Sequence, residues 1–162
     1  MIVGGESPKV AQTLMQEPKL MSEQLTQQQT EQARAEWVRA QFQKANEHLA
    51  SKGIIPDNVA VNDSRYLPPY LAVWKLNTKD KQTFWVISGD LPTDHLPLSA
   101  AKDAREAVRA FSLNWQLKAQ QIIAAATMDK TQQDFANLLI GRAQGLYEMF
   151  EKDELWRSSQ LA

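Results

Sequence analysis

Between residues 26 and 52, apolar side chains recur at three- and four-residue steps: Ala33, Trp37, Val38, Phe42, Ala45 and Leu49. The residues between them are mostly Gln, Glu, Ala and Arg, all good helix formers, so the spacing predicts one helix with a single apolar stripe, stopped at Gly53. The period changes from residue 54. Val59 and Val61 alternate with small or polar residues, and residues 70–78 and 83–88 are rich in aromatic and β-branched side chains around Lys79-Asp80-Lys81-Gln82. This reads as a hairpin. With those four residues as its loop, Trp74 faces Ile87 and Leu76 faces Trp85, each pair adding up to about 1 kcal/mol. That face is expected to be sealed by helices. The other, carrying Val73, Lys75, Asn77, Phe84, Val86 and Ser88, is mixed and expected to be only partly covered.

A third strand near residues 58–62 completes a small meander, and Pro68-Pro69, which withholds two amide donors, belongs before the hairpin strand or at a sheet edge. After Pro97 the helical period returns. Ser99 is an N-cap candidate, and Ala104, Val108, Phe111, Trp115, Ala119 and Ile122 form the stripe of a helix ending near Ala126. A break at residues 127–130 leads to a last helix capped by Thr131, with Phe135, Leu138, Leu139, Arg142, Leu146 and Phe150 as its stripe. Two long helices with a short link pair antiparallel. The expected fold is therefore α+β, a small antiparallel meander of two to three strands packed with three long helices in the order α-β-β-β-α-α. Gly141 and Gly145, each costing about 1 kcal/mol inside a helix, point to close backbone approach by the preceding helix or by a second copy of the chain.

Composition narrows this only in part. Residues 1–25 carry Gly4-Gly5, Pro8 and Pro18 without a sustained period. They read as a disordered leader upstream of the true start, with a second methionine at Met21, followed by one α+β domain over 26–156 and a frayed tail over 157–162. The chain has 18 basic and 19 acidic residues, a net charge of −1, and no cysteine. The balanced charge gives no footprint for a phosphate backbone, so nucleic acid is not an expected partner. Disulfides, thiolate catalysis and cysteine-ligated metals are excluded. No apolar run approaches the roughly 20 residues that span a bilayer, and the N-terminus lacks a secretory pattern, so a soluble cytoplasmic protein is expected.

Two segments are candidates for function. The loop from Ser88 to His95 brings Asp90, Asp94 and His95 together, groups able to bind a divalent metal or move protons. The same residues also suit a plain turn, with Asp side chains on local amides and Pro92 at its second position. His48, the other histidine, sits near the end of the first helix, where it complements the helix dipole. It joins a metal site only if that helix end meets the loop. Ser88 and Ser64 lack the nucleophile-elbow pattern of a serine hydrolase. The second segment, Arg65, Tyr66 and Tyr70 beside the proline pair, has the residue types that carry binding energy at interfaces. No cofactor is implied, and the metal, if any, is not identified.

The stretch Trp85-Val86-Ile87-Ser88-Gly89-Asp90-Leu91-Pro92-Thr93-Asp94-His95, then Ala101-Lys102-Asp103-Ala104-Arg105-Glu106-Ala107 and Phe111-Ser112-Leu113-Asn114-Trp115-Gln116, resembles an uncharacterised bacterial family, a domain of unknown function. The resemblance spans about residues 26–156 and implies a bacterial origin without an activity, cofactor or partner. The reading of function is then a non-enzymatic cytoplasmic interaction or accessory protein. It would dock a protein partner or a second copy through the mixed hairpin face and the corner from Arg65 to Tyr70. The alternative is a small metal-dependent or acid–base enzyme at Asp90, Asp94 and His95.

Overall fold

A computed structural model describes residues 8–125 and 129–157, with side chains described from residue 20 onward. The chain divides into two units, residues 1–37 and 38–162. Helix α1 spans Pro8–Ser51, so it begins well before the expected start near residue 26. Proline is well suited to a first helical position, where its missing N–H has no partner to lose. The expected leader lies partly outside the described residues, as does nearly all of the expected tail. In the first unit, side chains 20–36 are exposed, and Thr26 and Thr30 donate their hydroxyls back to the carbonyls of Ser22 and Thr26.

The second unit contains the sheet: β1 (Pro56–Val59), β2 (Arg65–Leu67), β3 (Leu71–Thr78), β4 (Thr83–Gly89) and β5 (Asp94–Pro97). Helices α2 (Ala104–Ala124), α3 (Lys130–Glu151) and the short α4 (Asp153–Arg157) follow. The α+β class and the element order are as expected from the sequence. All strand pairs are antiparallel in the order β1-β3-β4-β5, with β2 also on β3. The meander therefore gains two short strands, β2 and β5, too brief for a periodic signal.

The hairpin is shifted by one residue from the expected pairing. Leu76 lies opposite Phe84, Trp74 opposite Val86, and Val73 opposite Ile87. The cause is the loop. The Thr78 amide donates to the Gln82 carbonyl at 2.9 Å, and Lys81 takes a left-handed φ of 69°, which closes a three-residue loop instead of four. A one-residue change of register exchanges partners between faces. Trp74, Leu76, Phe84, Val86 and Ser88 thus share one face, and Leu71, Val73, Trp85 and Ile87 the other.

Both faces are covered. Phe42 of α1 packs on Trp74 with ring centroids 5.1 Å apart, and the buried Ser88 hydroxyl accepts from the Trp74 indole and donates to the Gln41 carbonyl. On the opposite face Leu71, Val73, Trp85 and Ile87 join Val108, Phe111, Trp115, Leu139 and Leu146 in one core. Val73 and Val86 have no exposed surface, which corrects the expectation of a part-open docking face on the hairpin.

Helix α2 starts later than expected. Its N-cap is Asp103, whose carboxylate accepts from the Glu106 amide at 2.8 Å, while Ser99 lies in a 3-10 turn over Leu98–Ala100. Asp129, with Gln132 completing a capping box, takes the role expected of Thr131 on α3. The buried stripe of α3 is Ala136, Leu139, Ala143 and Leu146. Phe135 and Leu138 are on its flank, because the small alanines let α2 approach, with Ser112 donating to the Ala143 carbonyl at 2.7 Å.

Gly141 and Gly145 do not serve close approach by the preceding helix. A Cβ at either would meet nothing within 4 Å, and they floor a cleft of about 180 Å³ beside Tyr70, Leu91 and Met149. Replacing either by alanine is expected to stabilise the domain by up to about 1 kcal/mol, since the helix-propensity cost disappears without a clash. Thermal melts of Gly141→Ala and Gly145→Ala check this; a lowered melting temperature would show that the cleft needs its glycine floor.

Candidate functional site

Of the three residues singled out in the polar loop, the fold joins two and excludes one. Strand β5 is the sheet edge beside β4, with Asp94 opposite Ile87 and His95 opposite Val86. Because neighbours on a strand face opposite sides, His95 turns toward α1 and Asp94 toward α2. His95 meets His48, near the C-terminal end of α1, with His48 Nε2 2.8 Å from His95 Nδ1. The helix end does meet the loop. Phe84 packs edge-on against the His95 ring with centroids 5.5 Å apart, holding its plane.

Asp94 is held from two directions. One oxygen accepts from the amide of His95 at 2.8 Å, the local turn bond expected of such a residue. The other accepts from the indole of buried Trp115 at 2.9 Å and from the Lys118 ammonium at 3.2 Å. One ligand atom each from His48, Asp94 and His95 lies within 4.8 Å of the other two. Asp90 stands apart. Its side chain is 85 % exposed, 3.9 Å from Arg142, which also donates to the Asp90 carbonyl at 2.9 Å.

The surroundings set protonation. Burial lowers both histidine pKa values; proximity to the His95 ring lowers that of His48 further, and the nearby Lys52 and Lys118 charges lower both, against the raising effect of Asp94. Neutral rings are the result, one lending an N–H and the other a lone pair to the bond between them. Burial alone would raise the Asp94 carboxyl, but the hydrogen bonds from Trp115 and the His95 amide, with Lys118 beside it, outweigh this and hold it below the usual range. The site thus presents two neutral imidazoles and a carboxylate.

The corner from Arg65 to Tyr70 is divided by the same strand alternation. Arg65 lies opposite Val73 and donates to the Leu155 carbonyl, with its guanidinium 5.9 Å from the Trp156 ring centre. Tyr66 faces the other way, packed on Trp74 with centroids 4.8 Å apart, and burial raises its phenol pKa. Tyr70 is 62 % exposed, at the glycine cleft. The three form no common surface. Ser64 and Ser88 are buried structural hydroxyls.

Trp115 and Lys118 were not singled out by sequence reasoning. Trp115 is part of the α2 stripe, and the only available signal was that a buried indole N–H needs an acceptor. Nothing in the sequence marked Lys118. No helix among the described residues is long and apolar enough to cross a membrane. A family model described as a domain of unknown function (DUF4826) matches residues 31–156. No curated protein and no solved structure matches the chain.

Proposed function

The chain belongs to the family described as a domain of unknown function (DUF4826), a membership that assigns no reaction, and we propose that it binds a divalent transition-metal ion through His48, Asp94 and His95. The observation that carries this reading is the convergence of two imidazole nitrogens and a carboxylate oxygen within 4.8 Å, from two separate elements. Two histidines and one carboxylate suit zinc or iron(II), cobalt and manganese, and three protein ligands leave a position for water or substrate. A tetrahedral ion with bonds near 2 Å separates its ligand atoms by about 3.3 Å, so the two rings need to part by only about half an ångström. The ion would replace the proton now shared between them. Trp115 would orient the carboxylate from outside the coordination sphere through its indole bond to Asp94.

The setting we propose is the bacterial cytoplasm, where the lack of cysteine fits a reducing environment. A docking role retains no free hairpin face. The exposed apolar positions that remain in the second unit include Leu113, Leu117, Ile140 and Tyr147 on α2 and α3.

Adding zinc or cobalt to untagged, metal-stripped protein is expected to give one bound equivalent and raise the melting temperature by about 5–10 °C at a hundredfold excess over Kd. His48→Ala and His95→Ala should abolish the gain. Lys118→Met should enlarge it, by removing a positive charge that lies 3.2 Å from a ligand oxygen. The reading fails if wild type takes up no stoichiometric metal and its melting temperature does not respond.

A further inference from the structure

Helices α2 and α3 bury one side against the sheet and each other, and each keeps an outer side. On α2, at about 100° per residue, Leu113 and Leu117 project opposite the buried Phe111 and Trp115. They are 45 % and 55 % exposed. On α3, buried Ala143 takes the Ser112 hydroxyl of α2 on its carbonyl, which marks the seam between the helices. Ile140 and Tyr147, 42 % and 38 % exposed, flank Ala143 on the side away from Arg142, which turns to Asp90 at the end of the sheet. The four side chains therefore lie on one outer face, two on each side of the seam.

Charge is depleted there. From Ala110 to Ala124 the only charged residue is Lys118, and from Phe135 to Tyr147 it is Arg142, in a chain that is 23 % charged. Both are engaged on the other side, Lys118 3.2 Å from Asp94 and Arg142 donating to the Asp90 carbonyl at 2.9 Å. The exposed polar positions around the four apolar ones are amides, Gln116, Gln120, Asn137 and Gln144. A helix pair that met only water would carry charged residues on its outer side. Apolar and tyrosine side chains without charge among them have the composition of an interface core.

We propose that this face binds the same face of a second copy of the chain, joining two α2–α3 hairpins into a four-helix bundle about a two-fold axis. Neutrality favours a second copy over a charged partner, because a patch set against itself places like beside like and any net charge would repel its own image. The area is sufficient. Helices of 21 and 22 residues run about 30 Å, and side by side they present a face of roughly 30 by 20 Å. That is on the order of the 800 Å² that each partner buries in a standard interface. Leu113 and Leu117, four apart, and Ile140 and Tyr147, seven apart, have the spacing of side chains that interdigitate in such bundles.

The test is sedimentation velocity of the full, untagged chain from micromolar to near-millimolar concentration. A concentration-dependent dimer is expected, with no larger species. Leu117→Glu and Ile140→Glu, each placing a carboxylate in the apolar centre, are expected to weaken it at least about thirtyfold. Ile55→Glu, at a position 64 % exposed and outside these helices, is expected to leave it unchanged. A native circular dichroism spectrum in each variant separates dissociation from misfolding. The proposal is overturned if wild type stays monomeric to near-millimolar concentration, if it assembles beyond a dimer, or if Leu117→Glu and Ile140→Glu dimerise as tightly as Ile55→Glu.

Discussion

Gly89→Ala is expected to destabilise the domain by roughly 3 kcal/mol or more, adding overpacking to backbone strain. Gly89 ends β4 opposite Leu71 with φ at 143°, a conformation that side-chain-bearing residues rarely adopt. A Cβ there would sit 2.4 Å from the Tyr70 carbonyl oxygen and 2.7 Å from the Leu71 Cα. Both are backbone atoms, so neither can rotate away. The Asp90 amide bond to the same Tyr70 carbonyl, 3.0 Å long, leaves the strand end little room to shift. Urea unfolding of wild type and variant gives the comparison; an unchanged midpoint would mean that the β4 end is far more yielding than its contacts indicate. Gly141 and Gly145 provide an internal control, since the same substitution there meets open space and is expected to act in the opposite direction.

The second large effect is at Trp115. It is 1 % exposed, in ring contact with Phe111, and Trp115→Ala is expected to cost about 3–5 kcal/mol. Trp115→Phe retains most of the packing but removes the indole donor to Asp94. About 1–2 kcal/mol is expected for that loss, because a part-buried carboxylate gives up a charge-assisted hydrogen bond. The Phe variant also connects the core to the proposed metal centre. With Asp94 deprived of its indole donor, metal affinity should fall about 10–100-fold while the protein stays folded. Calorimetric titration of cobalt into both proteins distinguishes the cases, and equal affinities would remove Trp115 from the support of the site.

Legibility differed from element to element for physical reasons. The stripe of α2 was readable because its buried Val108, Phe111, Trp115 and Ala119 repeat the helical period. In α3, Leu139 and Leu146 bury as expected, but the rest of the stripe was misplaced because Ala136 and Ala143 bury completely, yet carry a weak hydrophobic signal beside Phe135 and Leu138, which stay near 40 % exposed. Strand identity in β3 and β4 was clear from composition. Their register was not, since it depends on whether Gln82 belongs to the loop, and Lys81 in a left-handed conformation decides that. Among the polar residues of the loop, Asp94 and His95 could be named but not separated from Asp90. All three have the right chemistry, and only the edge position of β5 separates the first two from the third.

From its sequence alone, this protein is an α+β chain with helices at both ends of a hairpin-centred sheet, because periodicity and propensity act within a few residues of one another. The tertiary structure alone decided that both hairpin faces are buried and that His48 and His95, 47 residues apart, come within 2.8 Å. It also decided that Arg65 turns to Leu155 and Trp156 while Tyr66 packs on Trp74. Those outcomes depend on a loop shorter by one residue and on where two elements cross, and nothing in local sequence preference specifies either.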